Sequence, residues 1–344
     1  MPVITPGMTK FRKKVQLSQD AERLKEILEL KDRLQHDLEY LIAHNKIKDY
    51  PDYMSLFGDF GTIDYSKENL IGKGSFTKSY VTNNPATGEK RAIKVINMEK
   101  SRKEYAEKFL PRQLNILIFL SEHPHPNIIK VNAIGKVVQH VFIDTEYCSM
   151  GTLRNYRSKI KTNKEFNEDQ TRNWLRQLIS AIEFLHYYCI AHRNITPENV
   201  FIMTNESIRL SGFGFSRFCY DIETGTFRNS SSNRDPDPFL APEIIEGETT
   251  DPKMGDIWSW GAIFYYLVTG DPPFNPTQYI SKGIKLSSFT FGPYHSQRVS
   301  TNLSERVSRL LADCLTSDPT KRATLHHVKA HPWLKEGEPL PVAT

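Results

Sequence analysis

The sequence predicts an α+β fold: a small antiparallel sheet carrying one helix, then a larger, mainly helical part, with a further helix ahead of both. Three observations carry this. Asn69 to Ile96 reads as three antiparallel strands with connections at Gly72–Thr77 and Asn83–Gly88. From about Glu168 to Tyr188 apolar residues instead recur at helical steps, in Trp174, Leu175, Leu178, Ala181, Ile182 and Leu185. Asp256–Phe264 is apolar nearly all round, as a helix through the centre of a domain must be.

Composition bounds the rest. A chain of 344 residues can bury one large core or two ordinary ones, and 39% hydrophobic with 25% charged content is ordinary for a globular protein. A net charge of +5 reads as a solvated surface rather than a nucleic-acid footprint. No run of about 18 apolar residues marks a membrane span, and Met1–Gly7 has no apolar signal region. The four cysteines, Cys148, Cys189, Cys219 and Cys314, are scattered and fit reduced thiols. The expectation is a cytoplasmic protein that contacts neither nucleic acid nor membrane.

In chain order, Lys10, Arg12, Lys13 and Lys14 make a basic cluster, read as a solvated tail. From about Ser18 to Asn45, Leu17, Leu24, Ile27, Leu34, Leu38 and Leu41 fall on one stripe of an amphipathic helix roughly 40 Å long. The stripe is read first as packing on the chain's own domain, with a partner-binding helix as the alternative. Tyr50-Pro51-Asp52 and Gly58–Gly61 then read as a linker. In the sheet, the turn Gly72-Lys73-Gly74-Ser75-Phe76-Thr77 precedes Ala92-Ile93-Lys94, an apolar strand with one lysine. A helix over about Glu104–Leu120 carries Gln113, and Val141–Asp144 reads as a buried strand running into Thr145-Glu146-Tyr147-Cys148. The stretch Ile190-Ala191-His192-Arg193-Asn194-Ile195-Thr196-Pro197-Glu198-Asn199-Val200-Phe201 follows, then Ser211-Gly212-Phe213-Gly214, Ala241-Pro242-Glu243 and Asp318–Arg322.

In this order and at these spacings, residues 65–334 resemble a eukaryotic protein kinase domain. The interval of eighteen residues from Asn194 to Gly212 is the one expected between the family's two catalytic aspartates. Lys108–Leu114 and Pro252–Ser259 look like the testis-specific serine kinases of the calcium/calmodulin-dependent group. The resemblance implies a two-lobed fold, preceded by an extension over residues 1–64 and followed by a short tail over 335–344. It implies a nucleotide cleft with Ile71, Gly72, Gly74 and Phe76 in the covering loop, and Ala92 and Phe201 sandwiching adenine. Lys94 would reach the phosphates, Thr145 would stand behind the ring, and the backbone of Glu146 and Cys148 would meet its edge. Ser79 replaces an apolar wall residue, a loss of ~1 kcal/mol.

The same resemblance exposes what has changed. Asn194 stands where the family has its catalytic base; an amide cannot take a proton, which costs roughly 10²–10⁴-fold. Gly212 stands at the metal-binding aspartate, leaving Asn199 as the residual ligand for magnesium, a cation that favours carboxylates. Thr196 replaces a phosphate-contacting lysine. Gln113 replaces the glutamate that pairs with Lys94, reducing the pair to a charge–dipole contact. Pro236 replaces an activation-segment threonine. Residues acting as a unit lose most of the rate at the first removal. The expectation is therefore a pseudokinase: a scaffold or allosteric partner of other proteins, such as an active kinase or its substrate, docked through the N-terminal helix. Weak ATP binding is left open and magnesium is not expected to bind productively. The alternative is an unorthodox serine/threonine kinase in which Asp235 or Asp237 supplies the missing carboxylate. Ser230, Ser231 and Ser232 are candidate modification sites in a long activation segment.

Overall fold

The computed structural model describes residues 36–159, 167–221, 226–227, 235–248, 250–292 and 304–336, with Lys25, Glu29, Leu34, His295, Gln297 and Val299. The basic cluster, most of residues 18–35, the triplet Ser230–Ser232 and the tail beyond Glu336 lie outside the described residues.

Six strands form one sheet: β1 (Lys48–Asp49), β2 (Leu70–Lys73), β3 (Thr77–Asn83), β4 (Lys90–Asn97), β5 (Val131–Val137) and β6 (His140–Glu146). Their order is β1-β5-β6-β4-β3-β2; β1 runs parallel to β5 and the other pairs are antiparallel. Register separates the two faces. Ser79, Lys94 and Ile143 form one cross-strand row, and Lys78, Val95 and Phe142 form the next, which points the other way. The Ile143 face joins Ile96, Leu110 and Leu114 in the main core, while Phe142, Ile93 and Tyr80 join Leu56 and Phe60 in a second, smaller one.

The segment ahead of residue 65 departs from expectation. The stripe over 18–45 is not one continuous helix: α1 spans only Leu38–Ala43, and Asp37 is extended (ψ 176°), accepting a hydrogen bond from the Tyr40 N–H at 2.8 Å. Aspartate prefers a cap to a helix interior, so a new helix starts there although the apolar spacing runs on. The described part of the stripe packs on the chain's own domain. Leu34 and Leu41 are buried in the main core, and the Asn115 amide donates to the His36 carbonyl at 2.6 Å. The expected linker is likewise structured. α2 (Tyr53–Phe60) is capped by Asp52 and ended by Gly61, whose φ is +80° and whose Cβ, if present, would lie 2.4 Å from the Asn83 carbonyl oxygen. Caps and linkers draw on the same residues, which is why the sequence read as punctuation.

A π-helical turn, Tyr105–Phe109, runs into α3 (Leu110–Glu122), with Pro111 in its first turn. The second half is helical: α4 (Leu153–Lys159), α5 (Glu168–Tyr187), α6 (Pro242–Ile245), α7 (Pro252–Thr269), α8 (Pro276–Ser281), α9 (Glu305–Cys314), α10 (Leu325–Ala330) and α11 (Pro332–Lys335). α7 is buried almost throughout, and its Trp260 indole donates to the Leu175 carbonyl of α5. Short strands β7 (Ile190–Ala191), β8 (Val200–Ile202), β9 (Ile208–Leu210) and β10 (Arg217–Phe218) frame the loops between the two halves. Among the described residues no helix is long and apolar enough to cross a membrane.

Candidate functional site

The loop between β7 and β8 is anchored from below. The Asp256 carboxylate of α7, almost fully buried, accepts from the His192 N–H (2.9 Å) and the Arg193 N–H (2.7 Å) and meets His186 Nε2 at 2.8 Å. These bonds hold Arg193 at a φ of 64°, an unusual conformation for a side-chain-bearing residue. The His192 ring reaches sideways to the Ser211 carbonyl (Nε2 at 2.9 Å) and lies edge-on to Phe213, with centroids 4.8 Å apart. Loop and turn are thereby tied together. Burial, with the nearby Arg217 adding to it, pushes the Arg193 guanidinium down to about 10.

Inside this frame the chemistry-bearing positions bond to one another. Asn194 is half-buried; its carbonyl accepts from the Asn199 amide at 2.9 Å. The Asn199 carbonyl accepts from the Ser211 N–H at 2.8 Å. Thr196 is buried, so that position presents neither charge nor an exposed group. Gly212 is left-handed (φ 87°), and a Cβ built there would lie 2.3 Å from Asn199 Cγ, 2.4 Å from Oδ1 and 2.6 Å from Nδ2. The expected residual metal ligand thus fills the volume that a side chain at 212 would need. A magnesium ion does not fit this donor set: no carboxylate stands at 194, 199 or 212, and the side-chain oxygens there are those of two neutral amides, Asn194 and Asn199.

Lys94 extends from β4 on the face it shares with Ser79 and Ile143. The residue is half-buried but its ammonium is enclosed, and burial lowers its pKa with no carboxylate offsetting the effect. The expected contact with Gln113 is not made: among the described residues Lys94 has no hydrogen-bond or ion-pair partner. The Gln113 carbonyl instead accepts from the Tyr105 hydroxyl at 3.2 Å, with the Gly214 Cβ position 3.7 Å away. Tyr105 was not singled out from the sequence. Its signal is the spacing of eight residues before Gln113, close to two helical turns; burial pushes its phenol up to about 12.

Ala92 and Thr145 stand opposite each other across β4 and β6, and the Thr145 hydroxyl donates to the Ala92 carbonyl at 3.3 Å. Register thus brings Ala92, Thr145 and Lys94 onto one face. The Glu146 carboxylate turns away to the Lys130 N–H (2.8 Å) and Arg209 Nε (2.9 Å). The Cys148 thiol is pushed up to about 12 by burial and is chemically quiet. Phe201 is half-buried on β8, opposite Arg209. In the loop, Ile71 is exposed, Gly72 faces Ser79, Gly74 donates its N–H to the Thr77 carbonyl, and the Phe76 ring rests 4.4 Å from Tyr105. Asp237, one candidate replacement carboxylate, accepts from the Phe239 N–H at 2.8 Å, and Asp235 is exposed.

Two buried ties hold this frame together. Glu243 and Arg322 form a buried two-pronged pair at 2.6 and 2.9 Å, and Asp256 holds the loop. Comparison with known proteins agrees with this frame. The Protein kinase domain family matches residues 65–334. The chain is 32% identical over 279 residues to the SNF1-related protein kinase catalytic subunit alpha KIN12 of Arabidopsis thaliana, covering 80% of this chain and 52% of the relative. It is 30% identical over 278 residues to the carbon catabolite-derepressing protein kinase of Secale cereale, covering 80% and 52%. It is 27% identical over 275 residues to CBL-interacting protein kinase 33 of Oryza sativa subsp. japonica, covering 79% and 57%. The chain spans about half the length of these curated relatives. A sheet-rich lobe, a helical lobe and a family match over 270 contiguous residues place this chain in the protein kinase family.

Proposed function

We propose that this chain is a pseudokinase, a serine/threonine kinase homologue that acts in the cytoplasm as a scaffold or allosteric partner and does not transfer phosphate. One observation carries the reading: the Asn199 side chain occupies the position that a residue-212 side chain requires, beside an Asn194 that cannot take a proton. The metal site is closed as well as short of a ligand. Lys94, Ala92, Thr145 and the backbone at Glu146 and Cys148 support weak, metal-independent ATP binding, with the enclosed ammonium facing the phosphates. The likeness of Lys108–Leu114 and Pro252–Ser259 to testis-specific serine kinases is the finer placement we favour within the serine/threonine group. Its partners are proteins, an active kinase or its substrate.

Two assays on purified full-length protein test this: transfer of labelled γ-phosphate to itself and to a generic substrate, and thermal shift with ATP with and without magnesium. The reading expects no transfer above background and a rise in melting temperature that magnesium does not increase. Transfer that disappears in Lys94→Ala and in Asp235→Asn would sink the pseudokinase and establish the replacement-carboxylate kinase.

A further inference from the structure

On the sheet face opposite Lys94 lies a half-enclosed cavity of about 540 Å³, a volume suited to a small organic ligand. Its floor is the row Lys78–Val95–Phe142 with Tyr80, and one wall is α2 with Tyr53 and Phe57. Tyr65 stacks edge-on against Tyr80 at 5.1 Å, and His140 is fixed between the Tyr53 hydroxyl (2.9 Å) and the Asn97 amide (3.1 Å). The lining is therefore aromatic and held in place. Its charges have one sign: Lys73, Lys78 and Lys100 line it, and no Asp or Glu does. Among the described residues none of these three ammonium groups has an ion-pair or hydrogen-bond partner. The wall formed by Tyr53 and Phe57 precedes the region that matches the family, so the extension supplies one wall of the cavity and the family-matching sheet and loop supply the rest.

We propose that this cavity is a binding site for a small aromatic acid, a planar apolar ring system seated among the Tyr and Phe rings with its anionic group met by Lys73, Lys78 and Lys100. Aromatic faces recognise a flat apolar body, and three unpaired cations at the rim select an anion over its neutral isostere. The opposite side of the lining strip Lys73–Thr77 is the loop over the candidate nucleotide cleft, so the ligand contacts that loop from outside.

The test is calorimetric titration of the full chain with naphthalene-2-sulfonate and with the neutral naphthalene-2-sulfonamide. The expected result is saturable one-site binding of the sulfonate, with the sulfonamide about tenfold weaker. Replacing Lys73, Lys78 and Lys100 together by Ala should bring the sulfonate down to the sulfonamide's affinity, and replacing all three by Arg should restore it. Lys94→Met, on the other face, should leave it unchanged. No saturable binding, equal affinity for the two probes, full affinity in the triple Ala variant, or loss of binding in Lys94→Met would each overturn the proposal. None of these readouts depends on phosphate transfer.

Discussion

Gly212 and Asn199 show how a position without a side chain is filled by its neighbour. A left-handed residue that is not glycine costs about 1–2 kcal/mol in its backbone alone, and here its Cβ would also overlap the Asn199 amide. Gly212→Ala should therefore destabilise the protein by at least that amount in urea unfolding, and Gly212→Asp should do the same without restoring transfer. Gly212→Asp with Asn199→Ala should lose less than the sum of the single changes, because the second removes the overlap. Lys94 gives the opposite sign. Its ammonium is enclosed without a carboxylate, so Lys94→Met should stabilise the protein by roughly 1–3 kcal/mol. The folded-state pKa lies below the unfolded value of about 10.4, so the native chain binds fewer protons between the two values and gains stability as pH rises there. The advantage of Lys94→Met is full below the folded pKa and closes toward pH ~10.4; an advantage that widens with pH would contradict the enclosed charge. The identities at 194, 212 and 113 were legible in the sequence, as residues at fixed spacings. Their surroundings were not: the Asn199 amide beside Gly212 and the Tyr105 hydroxyl on Gln113 are side-chain placements set by packing.

Among elements, local pattern carried the strands β2, β3 and β4 and the helices α5 and α7, where apolar period and turn residues agree. It failed where they compete. The apolar stripe runs on past Asp37, yet the aspartate's capping bond starts a helix there. Pro51, Asp52 and Gly61 read as linker because they open and close an eight-residue helix. The tie between α6 and the segment after α9 is testable. Arg322 makes two buried bonds to Glu243 and further, partly buried bonds to the Thr316, Ser317 and Met254 carbonyls. Arg322→Ala leaves the Glu243 carboxylate buried without its cation and should cost about 3–5 kcal/mol. Arg322→Lys should recover little, since an ammonium cannot reproduce the two-pronged geometry. Full stability of either variant in denaturant unfolding would show that Glu243 is solvated.

At the scale of the molecule, residues 36–64 complete the sheet-bearing lobe. β1 covers the edge of β5, and Leu56 and Phe60 of α2 bury the outer sheet face formed by Tyr80, Ile93, Val137 and Phe142. Without them that lobe would present an open strand edge and an apolar face together, the combination that promotes aggregation. The two readings of this segment now separate cleanly. If it is structural, a fragment beginning at Tyr65 should melt well below the full chain and aggregate. Leu56→Ala in the full chain, truncating a side chain with no exposed surface, should lose about 2–5 kcal/mol. If the segment is instead a docking arm, the fragment should melt with the full chain and lose only its ability to capture protein partners. The buried contacts of Leu41, Tyr50, Leu56 and Phe60 favour the structural outcome, with any docking confined to surfaces that α1 and α2 leave exposed.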